Sequence, residues 1–485
     1  MSFEAHLLHG IQLLGWTPRA LWKILGSAVG ISVGVLHLAF IPLVLARRRE
    51  PSVTLAWLLA LFLLPAVGVV LFWIFGRGAV RRTARPRRRL LEGRRVSEAE
   101  PDLDAIPSAL RPLAHAAWRA ASAQVTGGNR VEVLVNAGEA YPAKLAAIER
   151  AKSRIDMAYY IFRPDGTGRR FRDALAAAAR RGVEVRLLLD AVGCAGTGRF
   201  FQPLRQAGAR VASFLPLSPW RAWTLNLRNH RKILAVDGAI GFTGGINIGD
   251  EYLGASRVGT WRDTHLSLEG PAVQALSAVF ADDWSYSTGD PIPTPVAPPP
   301  AVGGSFVQIV PSGPEDRAEA IYQAYFAAIA TARSSLDLTT PYFIPDRAIA
   351  VALVSAALRG VRVRLLVPYK NNQRLTALAG RSYFDELIEA GVEIYLYTPG
   401  MIHAKTLVID GAFGSVGTAN MDVRSFRLNF EVNGLLYGGT AVARLGEIFE
   451  RDLAAGTRLD PDRFGRRSLW QKAAEGGARL LSPIL

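Results

Sequence analysis

The sequence predicts an α/β fold in which two similar halves follow an N-terminal helical hairpin. Strand-like and helix-like segments alternate along most of the chain, which is typical of α/β layers. The alternation repeats: Arg154–Asp165 (RIDMAYYIFRPD) resembles Ser335–Asp346 (SLDLTTPYFIPD), and Arg180–Asp190 (RRGVEVRLLLD) resembles Leu358–Pro368 (LRGVRVRLLVP). Such self-similarity indicates an internal duplication. Two long uncharged stretches near the N-terminus predict the hairpin.

The length, hydropathy, charge and cysteine content of the chain limit its possible partners and sites. A chain of 485 residues is long enough for two or three domains. Hydrophobic residues make up 50%, with mean hydropathy +0.17, which indicates membrane segments. The 57 Lys and Arg exceed the 41 Asp and Glu by 16, which favours nucleic acid or an anionic membrane as partner. Because Cys194 is the only cysteine, an intrachain disulfide and a cysteine-based metal site are excluded.

The hairpin is predicted from Ile24–Ala46 and Ser52–Phe75, which contain 23 and 24 residues without a formal charge. Each is long enough, at about 1.5 Å per residue, to cross a hydrocarbon core of about 30 Å. The short basic turn Arg47–Pro51 joins them. A cleaved signal peptide is the alternative, but its apolar region is shorter and no second span follows it.

Arginines predict the orientation of the hairpin. Three lie in the turn, whereas seven follow the second span between residues 77 and 89. The positive-inside rule then places the C-terminal part of the chain in the cytoplasm, although the turn arginines oppose this. The expected location is the bacterial cell (inner) membrane, with the arginine cluster held against anionic headgroups.

The remaining chain is divided from the order of its elements. We expect a membrane region at 1–89, a connector at 90–130 with a helix near Pro107–Val125, a first domain at 131–286, a Pro-rich linker at 287–304 and a second domain at 305–485. The strands and helices expected in the first domain are Val131–Val135, Pro142–Ser153, Arg154–Phe162, Arg169–Arg181 and Val183–Asp190. Those expected in the second are Phe306–Val310, Glu315–Ala332, Ser335–Phe343, Arg347–Arg359 and Val361–Val367.

One motif occurs once in each half. His230–Asn247 reads HRKILAVDGAIGFTGGIN, and His403–Asn420 reads HAKTLVIDGAFGSVGTAN. Both contain H-x-K-x-x-x-x-D, and in both the asparagine follows the histidine by 17 residues. The motif residues are His230, Lys232, Asp237 and Asn247 in the first copy and His403, Lys405, Asp410 and Asn420 in the second.

These residue types suit phosphoryl transfer. On an extended strand, His230 and Lys232 point to the same side, so an imidazole and an ammonium converge. Imidazole is a competent nucleophile or acid near neutral pH, and lysine stabilises the charge of a transferring phosphate. One histidine can attack phosphorus while the other protonates the leaving alkoxide, which is why two copies are needed. Asp237 and Asp410 are better suited to tie the turn after each strand.

The duplicated motif identifies the chain as a member of the phospholipase D superfamily, and His403–Asn433 resembles the second motif of bacterial cardiolipin synthases. The resemblance implies two α/β domains about a pseudo-twofold axis, with both histidines at their interface. It also implies phosphate contacts from Lys232, Lys405, Asn247 and Asn420, and orienting carboxylates for the two histidines at Asp263 and Glu431. No metal and no cofactor are expected.

By this resemblance, the chain transfers a phosphatidyl group between two phosphatidylglycerols, giving cardiolipin and glycerol through a phosphatidyl-histidine. Two alternatives stay open: a phospholipase D that lets water attack, and a transferase that uses phosphatidylethanolamine as donor. A soluble nuclease of the superfamily has no use for a hairpin, so nucleic acid is not an expected partner. The loop Leu215–Arg228, with Trp220 and Trp223, is either an interfacial loop or a core-packing one.

Overall fold

The computed structural model describes residues 40–46, 51–72, 103–216, 226–292, 298–315 and 318–482. The chain divides into two compact units, Met1–Ala79 and Val80–Leu485. Most of the predicted first span and all arginines between 77 and 89 lie outside the described residues. The predicted second span is described as far as Phe72.

The N-terminal unit contains helices α1 (Pro51–Leu63) and α2 (Pro65–Leu71) in the second apolar stretch. The second helix starts at a proline, which has no N–H to donate and favours the first position of a helix. Val44, Leu61 and Phe72 form a small buried cluster. None of the helices among the described residues is long and apolar enough to cross a membrane.

The described part of the second unit contains first a 3₁₀ turn and helix α3 (Arg111–Ala121) and continues into the first α/β half. The strands of this half are β1 (Val125–Val135), β2 (Arg154–Tyr159), β3 (Glu184–Asp190), β4 (Arg210–Phe214), β5 (Arg228–Asn229), β6 (Ile233–Val236), β7 (Ile240–Gly244), β8 (Thr260–Arg262) and β9 (Thr264–Glu269). Its helices are α4 (Asn136–Arg150), α5 (Gly166–Arg180), α6 (Gln202–Gln206) and α7 (Ala272–Thr288).

The second half repeats this order. Its strands are β10 (Ser305–Ser312), β11 (Ser335–Thr339), β12 (Phe343–Ile344), β13 (Arg362–Pro368), β14 (Glu393–Tyr397), β15 (Gly400–Ile402), β16 (Thr406–Ile409), β17 (Phe413–Gly417), β18 (Met421–Asp422), β19 (Asn429–Tyr437) and β20 (Gly456–Arg458). Its helices are α8 (Ala320–Thr331), α9 (Arg347–Leu358), α10 (Arg374–Arg381), α11 (Phe384–Glu389), α12 (Val423–Arg427), α13 (Gly439–Ala454), α14 (Pro461–Gly465) and α15 (Leu469–Arg479).

Both halves share one 16-stranded sheet. Its main path is β20-β14-β13-β11-β16-β17-β19-β10-β1-β9-β7-β6-β2-β3-β4, so the order of one half mirrors the order of the other about the β1–β10 pair. Strand β1 extends six residues before the predicted Val131 because its first part pairs with β10 and its second part with β9. This strand therefore joins the two halves.

Helices cover both faces of the sheet. Helices α7 and α13 pack with apolar residues of both halves in one buried cluster. On the other face, α4 and α5 cover the first half, while α3, α8 and α9 cover the second. The repeated Asp165 and Asp346 each cap a helix by accepting a backbone N–H three residues on, at 2.8 and 3.0 Å. The duplicated sequence thus encodes equivalent local structure.

Candidate active site

Each histidine motif is held by the backbone of the opposite half. The strand before His230, β5, pairs with β19 of the second half, and the His230 N–H donates to the Phe430 carbonyl at 2.9 Å. In the same way β15 pairs with β8 of the first half, and the His403 N–H donates to the Arg262 carbonyl at 2.6 Å. The histidines precede the regular strands β6 and β16, rather than lying on them as predicted.

The pairing of histidines and carboxylates is also crossed. His230 Nδ1 lies 2.9 Å from Glu431 Oε2, and His403 Nδ1 lies 2.7 Å from Asp263 Oδ2. Both carboxylates are fully buried. Because an ionised carboxylate only accepts, each Nδ1 carries the proton, and each Nε2 is left to react. The carboxylate downstream of one motif thus orients the histidine of the other motif.

Further donors hold the two carboxylates. Glu431 accepts from the Thr418 hydroxyl at 2.5 Å and from the Asn429 amide at 3.1 Å. Burial raises the pKa of Glu431, but His230 and its other neighbours outweigh this and lower it below its usual value. The Asp263 carboxylate accepts the Thr264 N–H at 2.7 Å. These contacts keep both carboxylates in place beside the imidazoles.

Two buried lysines lie beside the histidines. Lys232 Nζ donates to the His230 carbonyl at 2.6 Å, and Lys405 Nζ donates to the His403 carbonyl. Burial lowers the pKa of Lys232 to about 7 and that of Lys405 to about 8. Both amines therefore lose their protons more readily than an exposed lysine does. A phosphate between them favours the ammonium forms.

Burial also keeps the imidazoles neutral. It lowers the pKa of His230, with Glu431 opposing the shift, and lowers the pKa of His403 to about 3. A neutral imidazole has a free lone pair on Nε2, which suits nucleophilic attack or proton abstraction. To act as an acid, either histidine must first take up a proton.

The motif aspartates lie beyond β6 and β16 and are not brought to the histidines. Asp237 accepts the backbone N–H groups of residues 152–154 at 2.8 to 2.9 Å, and Asp410 does the same for residues 333–335 at 2.7 to 2.9 Å. Both have positive φ, +54° and +52°. In this arrangement the two carboxylates close the turns after the strands.

The predicted phosphate-binding asparagines differ in their contacts. The Asn247 oxygen accepts the Ile161 N–H at 3.2 Å, and its amide nitrogen donates to the Tyr252 hydroxyl at 3.0 Å. The Asn420 oxygen is buried without a hydrogen-bond partner among the described residues. Asn420 is thus the freer of the two side chains, and Asn247 uses one of its two amide N–H groups in the contact with Tyr252.

Aromatic rings line the site, which the sequence alone did not reveal. The Tyr160 ring contacts His230 edge-on at 4.9 Å between centroids, and Trp261 contacts His403 at 4.9 Å. The Tyr252 hydroxyl lies 3.3 Å from His403 Nδ1, and the Tyr342 ring lies 6.3 Å from that imidazole. The only available signal was position, since Tyr160 lies in the repeated segment and Trp261 lies two residues before Asp263.

The glycines of the motif make room for its partners. A Cβ on Gly245 would approach Asp263 Oδ1 to 2.0 Å, and one on Gly417 would approach Asn433 Oδ1 to 2.0 Å. Any larger residue would displace the side chain that packs there. Glycine is therefore needed at 245 and 417 because the side chains of Asp263 and Asn433 pack directly against the backbone there.

The two halves differ in the buried polar residues that pack near the active-site lysines. In the first half, His265 lies opposite Gly244 in the sheet, and Lys144 of α4 lies over the Tyr159 ring at 5.4 Å. Lys144 Nζ and both ring nitrogens of His265 are buried without hydrogen-bond partners among the described residues. Burial lowers the pKa of Lys144 to about 7. His265 is thus a buried residue of β9.

In the second half, Tyr325 of α8 occupies the repeat position of Lys144, and Asn433 that of His265. The Asn433 amide donates to the Tyr325 hydroxyl at 2.8 Å and to Ser415 at 3.2 Å, and its oxygen accepts the Thr418 N–H at 3.2 Å. The polar groups here are satisfied, whereas those of the first half are not.

Substitutions at these two matched positions are expected to change stability in opposite directions. Lys144→Met removes a buried amine that has no hydrogen-bond partner, so we expect the free energy of unfolding to rise by about 1–3 kcal/mol. Tyr325→Phe removes one of the two groups to which the Asn433 amide donates, so we expect a loss of about 1 kcal/mol. Thermal unfolding of both variants in detergent measures this. Equal destabilisation by both would contradict the difference between the halves.

Part of the predicted interfacial loop, residues 217–225 with Trp220 and Trp223, lies outside the described residues. Arg228, at the end of that stretch, is a buried residue of β5. It therefore does not lie on an exposed loop.

The described residues contain no group of three His, Cys, Asp or Glu side chains placed to hold a metal ion.

The chain is similar to known proteins over most of its length. The family described as "Cardiolipin synthase, PLD-like domain" matches residues 145–284 and 325–453, and "Phospholipase D-nuclease N-terminal" matches residues 36–77. The cardiolipin synthase of Geobacillus kaustophilus is 40% identical over 477 residues, covering 96% of this chain and 95% of that protein. Cardiolipin synthase 2 of Bacillus anthracis is 41% identical over 452 residues, covering 90% and 88%.

Among solved structures, the phosphatidylserine synthase of Haemophilus influenzae superimposes with a TM-score of 0.56. The match covers 73% of this chain and 95% of that structure at 15% identity. At this identity the likeness concerns the fold alone.

Proposed function

The chain belongs to the cardiolipin synthase family of the phospholipase D superfamily, and from this premise we propose that it joins two phosphatidylglycerols within one two-histidine site. Its activity is cardiolipin synthesis, a phosphatidyl transfer. The observation that carries the proposal is the crossed pairing, in which His230 depends on Glu431 and His403 on Asp263. Neither half alone holds a complete pair.

In the first step, His230 Nε2 attacks the phosphorus of the donor lipid. A P–N bond forms, the P–O bond to the headgroup glycerol breaks, and His403 gives its Nε2 proton to the departing oxygen. Lys232 and Lys405 hold the phosphate oxygens, together with the side-chain amides of Asn420 and Asn247. The anionic phosphate and Asp263 favour the protonated form of His403 that this step needs.

In the second step, the neutral His403 takes the proton from a headgroup hydroxyl of a second phosphatidylglycerol. The hydroxyl oxygen then attacks phosphorus, and the P–N bond to His230 breaks. Cardiolipin leaves, and His403 is again protonated. The aromatic rings Tyr160 and Trp261 limit the access of water, which favours a lipid hydroxyl over hydrolysis.

We further propose that the N-terminal unit holds the enzyme at the bacterial cell membrane, with two spans and the catalytic unit in the cytoplasm. Support comes from the uncharged stretches Ile24–Ala46 and Ser52–Phe75 and from the arginines that follow them. The match of residues 36–77 to an N-terminal family of phospholipase D relatives fits this arrangement.

The test supplies purified full-length protein with phosphatidylglycerol vesicles. Cardiolipin and glycerol are expected in equal amounts, measured by mass spectrometry and an enzymatic glycerol assay. Phosphatidic acid in place of cardiolipin would instead show hydrolysis. Ethanolamine release from mixed vesicles would identify phosphatidylethanolamine as a donor.

The crossed pairing predicts which step each carboxylate supports. Glu431→Gln is expected to slow formation of the His230 adduct by about 10²-fold or more, because a neutral amide no longer stabilises the charge that develops on that imidazole. Asp263→Asn is expected to slow only the steps that need His403, so it does not slow adduct formation from phosphatidyl-p-nitrophenol, whose leaving group needs no proton. Rapid-quench measurement of the phosphatidyl adduct formed from that donor separates the two variants. The reverse pattern would mean that each carboxylate serves the histidine of its own half.

A further inference from the structure

Exposed apolar side chains concentrate on two helices of the catalytic unit. Twelve large hydrophobic residues of the described part of this unit are exposed, and seven of them lie in two segments. We call these seven the α10–α15 surface: Tyr369, Leu375, Leu378, Leu469, Trp470, Leu480 and Leu481. Leu469 and Trp470 expose 84% and 86% of their surface, so nothing in the described chain covers them.

The surface is held on a fixed framework. Helices α10 and α15 pack together, and Arg381 binds Glu475 at 2.9 Å between them. Helix α15 begins with a capping box formed by Ser468 and Gln471, immediately before Leu469. These two helices carry four of the seven exposed side chains, Leu375, Leu378, Leu469 and Trp470, and the other three flank them.

The two segments that form the surface carry mainly basic residues. Residues 369–382 contain no acidic residue, and residues 463–482 contain only Glu475, which is buried and paired with Arg381 and Arg467. The exposed basic residues in the two segments include Lys370, Arg374, Arg463, Arg466, Lys472 and Arg479. Apolar and basic side chains together match an anionic lipid surface.

The segment before α10 contacts an aromatic residue of the active site. In the segment that leads into α10, Asn372 accepts the Tyr342 hydroxyl at 2.8 Å, and Asn371 donates to the Pro341 carbonyl at 2.9 Å. The Tyr342 ring lies 6.3 Å from His403. Tyr369 and Lys370 immediately precede these contacts in the chain.

We propose that the α10–α15 surface docks the catalytic unit on the anionic bilayer that holds its substrates. The inference rests on the proposed function, because a phosphatidylglycerol headgroup stays at the membrane surface while its acyl chains stay in the bilayer. Leu375, Trp470 and their neighbours enter the interface, and the basic residues contact lipid phosphates. The site then faces the headgroups, and no lipid has to leave the membrane.

Site-specific labelling tests the proposal in the full-length chain. Cys194 is the only cysteine and is buried, so Leu375→Cys and Trp470→Cys each accept one environment-sensitive fluorophore. Leu358→Cys is the matched control, because Leu358 is 72% exposed on α9, away from the surface. The labelled proteins are reconstituted into vesicles of phosphatidylglycerol and phosphatidylcholine that contain nitroxide-bearing lipids.

The labels at 375 and 470 are expected to lose most of their fluorescence to the nitroxides, whereas the label at 358 is not. Adding Arg374→Glu and Lys472→Glu is expected to reduce the quenching on phosphatidylglycerol vesicles. Absence of quenching at both positions would overturn the proposal. So would concentration-dependent self-quenching in detergent, which would identify a second copy as the occupant. Repeating the measurement with His230→Ala keeps the result independent of catalysis.

Discussion

His230→Ala and His403→Ala are each expected to reduce cardiolipin formation by about 10⁴-fold or more, with membrane insertion and fold retained. The reason is that the two imidazoles serve one reaction and neither can replace the other, since each is oriented by a carboxylate from the opposite half. Turnover of phosphatidylglycerol in reconstituted vesicles measures the loss.

His115→Ala is the matched control for these variants, because His115 lies on α3, which contributes no residue to the active site. This variant is expected to keep its activity. Substantial turnover in either His230→Ala or His403→Ala would mean that each half has an independent site. Recovery of activity on mixing the two inactive variants would mean that a site is shared between chains.

The two histidines are expected to have different roles, one as the nucleophile and the other as the general acid. We assign the nucleophile to His230 and the acid to His403 by analogy with superfamily members in which the N-terminal motif attacks. With phosphatidyl-p-nitrophenol the leaving group needs no proton. His403→Ala is therefore expected to release a burst of nitrophenolate and to accumulate a phosphatidyl adduct on His230.

His230→Ala is expected to give neither the burst nor the adduct, because the attacking nitrogen is gone. Peptide mass spectrometry locates the adduct, and stopped-flow absorbance follows the burst. An adduct on His403 in the unmodified protein would exchange the two roles. The chemistry allows that outcome, since both histidines have a buried carboxylate on Nδ1 and a lysine two residues on.

Local sequence patterns were sufficient to predict much of the fold. The alternation of elements and the repeated segments predicted two α/β halves, and Asp165 and Asp346 occur at the same place in each repeat. Boundaries were less well determined. Helix α4 begins at Asn136, six residues before the predicted Pro142, and β1 is longer than its apolar core. Both differences arise because tertiary contacts, such as the pairing of β1 with β10, extend an element beyond its local signal.

The sequence by itself determined the chemical groups of the site: two histidines, two lysines and two downstream carboxylates, each in a recognisable local pattern. Which carboxylate serves which histidine was decided only by the tertiary structure. Spacing along a chain describes neighbours on one strand, whereas Glu431 reaches His230, and Asp263 reaches His403, through pairing of strands about 200 and 140 residues apart. The aromatic walls, the difference between Lys144 and Tyr325, and the exposed helix pair likewise depend on packing between distant segments, because burial and contact are properties of the folded chain.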